Sequence, residues 1–541
     1  MKTMKTIALA ATLLFAWQGV WAEEEPSIDK LWNDDTKQYE IKAPEDLITL
    51  ANYVNAGNDC ANLTFKVINE IEFDMNSIIF DLDEDDKNDS NYKPIGHRYE
   101  DVSGAANSFF CGTFDGNGKT ISGIVVNDPD GFNVGLFGTI GGAEIKNVKL
   151  EDCTFSSNLY VGGIVGLSID NSSISECTVG SRVTVNAVSC TINSEEMPGE
   201  FAGGIMGDCY LATISNCLCA ATVKGDEYVG GIAGRLLSVK EEEGIIDECY
   251  FTGDVESKGE NKGAIVGARG PLPEFEEADG SKGTLSFTLF NNDSEENIKN
   301  EDRIKMYDSQ ECNVTLSGRT LYKDNSWNTL CLPFDASLTD DFSGAEIRTL
   351  SSAEFMSGTL TLNFTPKEGD GAVTSIEAGK PYIIKWASGG EFTPTFKGVT
   401  IKSDAPSDAT CDAANFHGIY TPYTTEGEDK SLLYLGANNT LYYPSAAMTI
   451  NAFRAYFQLN NGITAGGETE EDPTNPETTS KTIRAFQLNL GDEETGIISV
   501  NESGLMVNES ESWYSIDGRK LHNTPTAKGL YINKGKKILM K

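Results

Sequence analysis

Between residues 134 and 267 a short run of glycines and aliphatic residues recurs five times. It reads VGLFG at 134–138, VGGIVG at 161–166, AGGIMG at 202–207, VGGIAG at 229–234 and KGAIVG at 262–267. From last glycine to last glycine the steps are 28, 41, 27 and 33 residues. A second run follows most copies, with an isoleucine three residues ahead of a valine or cysteine: Ile145 and Val148, Ile174 and Cys177, Ile214 and Cys217, Ile246 and Cys249. Self-similarity at a period of about 20–50 residues marks a repeat architecture. No apolar stretch in these units keeps a helical period. Short β-branched runs are broken instead by Gly, Asn, Ser and Asp, which predicts strands. The expected fold is a parallel β-helix, one coil per unit, with coils stacked about 4.8 Å apart. Leu136, Ile164, Ile205, Ile232 and Ile265 then form an inward ladder, and the glycines beside them serve positive φ or close backbone approach. Residues 186–201 and 238–244 read as surface insertions in the two longer steps.

Around this block the pattern changes. Leu47, Leu50, Ala51 and Val54 have helical spacing and predict a helix that caps the open end of the coil. Asp115-Gly116 and Asn117-Gly118 are turn dipeptides, so Asp115 is assigned to a turn rather than to catalysis. From about residue 300 to 460 many short strands with frequent turns and no repeat suggest a β-sandwich. Residues 461–480 are a Gly-, Pro-, Glu- and Thr-rich linker, and 481–541 a small strand-rich tail. The fold class expected is thus all-β: a solenoid over 40–270, a sandwich over 300–460, the linker, and a C-terminal β domain.

The repeats and the segment leading into them resemble the GLUG repeat. That repeat occurs in bacterial surface proteins and in the non-catalytic part of some IgA-specific metallopeptidases. The resemblance implies a secreted β-helix and no particular activity. The segments SWNTLCLPF at 326–334, EAGKPYII at 377–384 and FRAYF at 453–457 are similar to a module common in secreted proteins of Bacteroidetes. The tail, with Gly518-Arg519, Gly529-Leu530-Tyr531 and its terminal lysines, resembles the C-terminal sorting domain of the type IX secretion system.

Composition supports this address. Lys2 and Lys5, an apolar core over 7–17 and Val20-Trp21-Ala22 before three glutamates predict a signal peptide over 1–22 with cleavage after Ala22. No later stretch is long and apolar enough for a transmembrane helix, so the protein is expected outside the cell or on its outer surface. The net charge of −40, from 42 Lys+Arg against 82 Asp+Glu, speaks against nucleic acid as a partner and equally serves solubility. Of the twelve cysteines, Cys177, Cys217 and Cys249 fall at one place in the repeat. They read as an inward ladder of free thiols, with a bridge between neighbours as the alternative. Their spacing does not fit a zinc site, and Cys217-Leu218-Cys219 has one residue too few between its thiols.

Candidate chemistry is sparse. None of His97, His417 and His522 is followed by glutamate, so HExxH is absent, as are a Gly-x-Ser-x-Gly elbow and a Walker loop. The acidic run over 81–89 invites a calcium reading, but it departs from the EF-hand pattern at Asp86 and also suits a solvated loop. Asp226 and Asp254, counted from the ladder cysteines, do not stack as a glycosidase pair would. Trp327, Trp386, Tyr442 and Tyr443 are either a sugar-stacking platform or core. No catalytic or metal residue is assigned, no cofactor is expected, and the binding residues stay open. Three functions follow: a monomeric, non-enzymatic surface protein that binds host or dietary glycans or extracellular proteins; a β-helix polysaccharide lyase or glycoside hydrolase; and a structural spacer. A surface cleft holding carboxylates, or Lys/Arg beside carboxylates, favours the enzyme.

Overall fold

The structure is a computed structural model. It describes residues 26–490 apart from 83–86, 97–107, 193, 240–242, 272–279, 295, 437–438 and 467–480 and, beyond 490, the backbone of six short strands. The expected signal peptide, His97, His522 and most of the linker lie outside the described residues. Among the described residues no helix is long and apolar enough to cross a membrane.

The chain is all-β, and its N-terminal part winds as a parallel β-helix with four strand positions per coil. The first face runs in register from Thr64–Val67 through Thr113–Asp115, Glu144–Lys146, Ser172–Ser175, Ala212–Ser215 and Ile245–Asp247 to Thr284–Phe290 and Glu311–Ser317. Phe114, Ile145, Ile174, Ile214, Ile246 and Leu285 stand over one another along it and are all buried. This is the period-2 rule applied across coils: every second residue of each short strand points into the tube. Leu136, Ile164, Ile205, Ile232 and Ile265 form a second buried ladder where the chain turns from the third face, which includes Thr154–Gly162, Thr184–Ala187, Thr222–Gly225 and Asp254–Ser257, into the fourth, which includes Val165–Ser168, Met206–Tyr210 and Ala233–Val239.

The glycine run is explained at that turn. Its glycines do not take positive φ; the residue ahead of each of the first four runs does, with Asn133 at +59°, Tyr160 at +56°, Phe201 at +58° and Tyr228 at +57°. The last glycine of each later run lies against such a residue in the preceding coil. A Cβ would sit 2.6 Å from backbone of Asn133 on Gly166, 2.6 Å from Tyr160 on Gly207, 2.6 Å from Phe201 on Gly234 and 2.4 Å from Tyr228 on Gly267. The third position of the run is barred for a related reason: Cβ atoms on Gly163, Gly204 and Gly231 would strike the backbone carbonyl of the next coil at 2.5, 2.3 and 2.1 Å. In the last copy that position is Ala264, the residue whose carbonyl Gly231 meets. The left-handed aromatics stack in turn, Tyr160 on Phe201 at 5.1 Å and Phe201 on Tyr228 at 4.8 Å, which offsets part of a backbone cost of roughly 1–2 kcal/mol each.

Cys177, Cys217 and Cys249 lie buried as free thiols. Their sulfurs bond to the carbonyls of Ser175, Ser215 and Asp247 at 3.2, 3.3 and 3.3 Å. Hydrogen bonding to Cys217 and burial raise the Cys177 thiol, and burial with the same neighbour raises Cys249. The insertion over 186–201 is a hairpin, Cys190–Ile192 against Glu195–Met197, and the third face resumes its register on either side of it. At the N-terminal end α1 (Pro44–Asn55) buries Leu47, Leu50, Ala51 and Val54. Asp46 fixes its start by accepting from the N–H groups of Lys42 and Ala43 at 2.9 and 3.2 Å.

Beyond 270 the first face continues, and its last strand, Glu311–Ser317, pairs antiparallel with Thr395–Thr400. The coil therefore passes into the following β unit through a shared sheet. That unit contains one sheet with Leu350–Met356 and Thr359–Phe364 and another with Ala414–Ile419, Arg454–Leu459 and Leu432–Leu435. Both contribute to one core that includes Leu360, Phe416, Leu433 and Phe457. Strand Ala485–Asn489 joins the first of these sheets by pairing parallel with Thr359–Phe364, and it buries Phe486 and Leu488 in the same core. Four further strands, from Trp513–Ser515 to Lys536–Met540, make a small antiparallel sheet.

Candidate functional site

The candidate site lies in the second β unit, where α2 (Asn300–Met306), the end of strand Ala414–Ile419 and the segment that follows it to Tyr423 line a cavity of about 490 Å³. The strand Ala414–Ile419 alternates, so Ala414, Phe416 and Gly418 face the core and leave His417 half-buried at the cavity wall. His417 stands opposite Tyr456 on the neighbouring strand, with ring centroids 5.0 Å apart. Asp408 arrives from the segment that Ala409 bonds to Phe416 in both directions, at 3.0 and 2.9 Å. Its Oδ1 lies 2.5 Å from His417 Nδ1.

Tyr423 completes the aromatic wall. It sits on Tyr423–Thr425, a short strand paired with Met448–Ile450, and stacks on Tyr456 at 5.2 Å and 23°. Tyr456 is buried, which pushes its hydroxyl up to about 12, whereas Tyr423 is 38% exposed and presents its ring to solvent. Across the cavity α2 contributes Glu301 and Lys305, joined at 2.7 Å. The site thus combines an exposed aromatic face, a carboxylate–imidazole pair and a second charged pair, the composition of a binding pocket with a few orienting polar groups. The Cys331 thiol, behind Gly418, is fully buried, bonds to the Gly379 carbonyl at 3.4 Å and is pushed up by burial, so it is no nucleophile for His417.

A second concavity, about 430 Å³, lies on the third face of the coil beside the 186–201 hairpin. Lys224 and Glu256 are stacked in register and paired at 3.0 Å. Asp226 accepts from Lys258 at 2.6 Å, Ser189 at 2.5 Å and the Gly199 N–H at 2.9 Å. Burial works against the Asp226 carboxylate, but these three donors outweigh it and hold it below its ordinary range. Both ammonium groups are matched by carboxylates, and Asp226 fastens the hairpin to the coil. Asp254 stands opposite Thr222, so it does not stack with Asp226.

The other sequence candidates fall as follows. Trp327 and Trp386 are buried core; Trp386 donates to the Ser343 carbonyl at 3.2 Å. Tyr442 stacks on Tyr434, and Tyr443 packs against the second core. Asp115 accepts from the Asn117 N–H at 2.8 Å and from Asn147 at 3.0 Å, the bonds of a turn. In the acidic run over 81–89, residues 83–86 lie outside the described residues, and Asp89 accepts from Asn127 at 2.6 Å. Among the described residues no group of three or more His, Cys, Asp and Glu side chains is arranged to hold a metal ion. Sequence reasoning named His417 only to dismiss a zinc motif and passed over Tyr423 and Tyr456. These residues come from three separate segments, and no spacing joins them.

No model of a known protein family matches the chain. The chain is similar to halomucin of Haloquadratum walsbyi, with 24% identity over 164 residues; these are 30% of this chain and 1% of halomucin. Among solved structures it is similar to a candidate immunoglobulin A1 protease from Bacteroides ovatus. The identity is 19%, the match covers 48% of this chain and 66% of that one, and the TM-score is 0.32.

Proposed function

We propose that this is an exported protein of the cell surface or extracellular space whose β-helix is a rigid scaffold and whose second β unit binds glycans. The observation that carries the reading is the pocket lined by exposed Tyr423, which stacks on Tyr456, and by His417, which pairs with Asp408. Stacked aromatic faces take the apolar side of a sugar ring, and fixed carboxylate and imidazole groups take its hydroxyls. Export is supported by the basic, apolar and small-residue order of residues 1–22 and by the GLUG-like repeats. The likeness of the tail to a type IX sorting domain is consistent with the same route.

The second reading, a lyase or hydrolase, is favoured by the lysines beside carboxylates in the coil groove. Against it, both ammonium groups are neutralised by ion pairs. A glycan array probed with the chain from residue 23, followed by chromatography of each bound glycan after incubation, separates the two. Binding without new products supports the proposal. Shortened or unsaturated products support the enzyme. No binding at all returns the protein to the spacer reading.

A further inference from the structure

Acidic groups outnumber basic ones two to one in this chain, and its nearly fully buried arginines are accordingly paired. Arg235 holds Asp208, Arg303 holds Glu248 and Glu296, and Arg348 holds Glu346. Arg319 breaks the rule. It is 3% exposed, and its guanidinium donates to the backbone carbonyls of Thr320 and Thr329 at 2.8 and 2.5 Å. Its buried Nε has no partner among the described residues. Arg454 lines the same cavity, of about 430 Å³, and donates to Asn291 Oδ1 and to the Ala452 carbonyl. Two guanidinium groups, which cannot discharge by losing a proton, therefore meet in one cavity with carbonyls and an amide as their acceptors. Burial and the Arg454 charge push Arg319 well down, and burial takes Arg454 to about 10. Buried cations left without a counter-charge are costly, and an anion bound in the cavity would relieve that cost.

We propose that this cavity is an oxyanion site that takes the carboxylate or sulfate of an acidic sugar. Guanidinium forks match both groups in geometry and charge. Around them the cavity offers the exposed ring of Tyr322, the Ser326 side chain and Asp324, exposed at the rim, to accept ring hydroxyls. The sugar part of the assignment rests on the glycan-binding reading; the anion part does not.

The test is calorimetric titration of the chain from residue 23 with a glucuronate-containing disaccharide, a sulfated disaccharide, their neutral counterpart and plain sodium sulfate. The variants are Arg454→Gln, Arg454→Lys and Tyr322→Ala, the last at an exposed position that leaves the fold intact, with Lys224→Ala in the coil groove as the control. An acidic disaccharide should bind in a salt-sensitive manner. Arg454→Gln should weaken it about tenfold or more, Arg454→Lys and Tyr322→Ala less, and Lys224→Ala not at all. Acidic-disaccharide affinity equal in wild type, Arg454→Gln and Tyr322→Ala overturns the site. Arg454-dependent binding of sulfate alone, with neither disaccharide bound, overturns the sugar assignment while the anion site stands. Loss of neutral-sugar binding in every protein, with Arg454-dependent acid binding kept, counts against the Tyr423 pocket and in favour of this one.

Discussion

A methyl group on Gly207 would lie 2.6 Å from the Tyr160 backbone, a distance that no rotamer change relieves. Gly207→Ala should therefore force two coils apart and cost about 2–4 kcal/mol, within the range for overpacked or strained sites. Ala264→Gly, at the end of the ladder, should cost about 1 kcal/mol or less; urea unfolding of both variants checks the contrast. At Asp226 the sign of the pH effect follows from its depressed folded pKa. The unfolded carboxylate binds its proton first, so the stabilisation is fully present above about pH 4 and fades as pH falls through the folded value. Asp226→Asn should flatten the acid limb of the melting-temperature profile, and an unchanged limb would deny Asp226 its role in fastening the hairpin. The glycine spacing was legible in the chain because it repeats. The left-handed positions were not, because Asn133, Tyr160, Phe201 and Tyr228 share no chemistry that marks positive φ.

At the scale of elements, the cysteine ladder and the strand at 485–489 make opposite demands on sequence reading. Cys177, Cys217 and Cys249 recur at one repeat position, so their inward stacking followed from spacing alone. As buried free thiols they should react slowly with a maleimide in the native state and completely after unfolding without reductant. Thiols that stay blocked until reductant is added would show bridges. The strand Ala485–Asn489 left no such mark, because its partner Thr359–Phe364 lies more than a hundred residues away. The linker over 461–480 predicts a separate C-terminal β domain from 481. Instead Phe486 and Leu488 are core, and Arg348 donates to the Leu490 carbonyl. Truncation after residue 480 should lower the melting temperature by several degrees, whereas truncation after 490, which keeps Phe486 and Leu488 but removes the pairing of Ile498–Val500 with Ala485–Asn489, should lower it less. Differential scanning calorimetry of the two truncations distinguishes a separable tail from one that shares the core.

At the scale of the whole molecule, the β-helix and the unit that follows it are joined through the first face, by the pairing of Glu311–Ser317 with Thr395–Thr400. This geometry suits a stiff support that carries a binding surface at its C-terminal end. The architecture could be read from the chain because each coil repeats its neighbour's demands. The candidate site could not, because it assembles one residue from each of several non-repeating strands. On the proposed reading, recognition lies in the Tyr423 pocket and the coil groove serves as support. Calorimetric titration of the strongest neutral glycan from the array, against wild type, Tyr423→Ala and a Lys224→Ala/Lys258→Ala double variant, tests that directly. Affinity should fall about tenfold or more in Tyr423→Ala and stay unchanged in the groove variant. Binding kept by Tyr423→Ala and lost in the groove variant would contradict that reading.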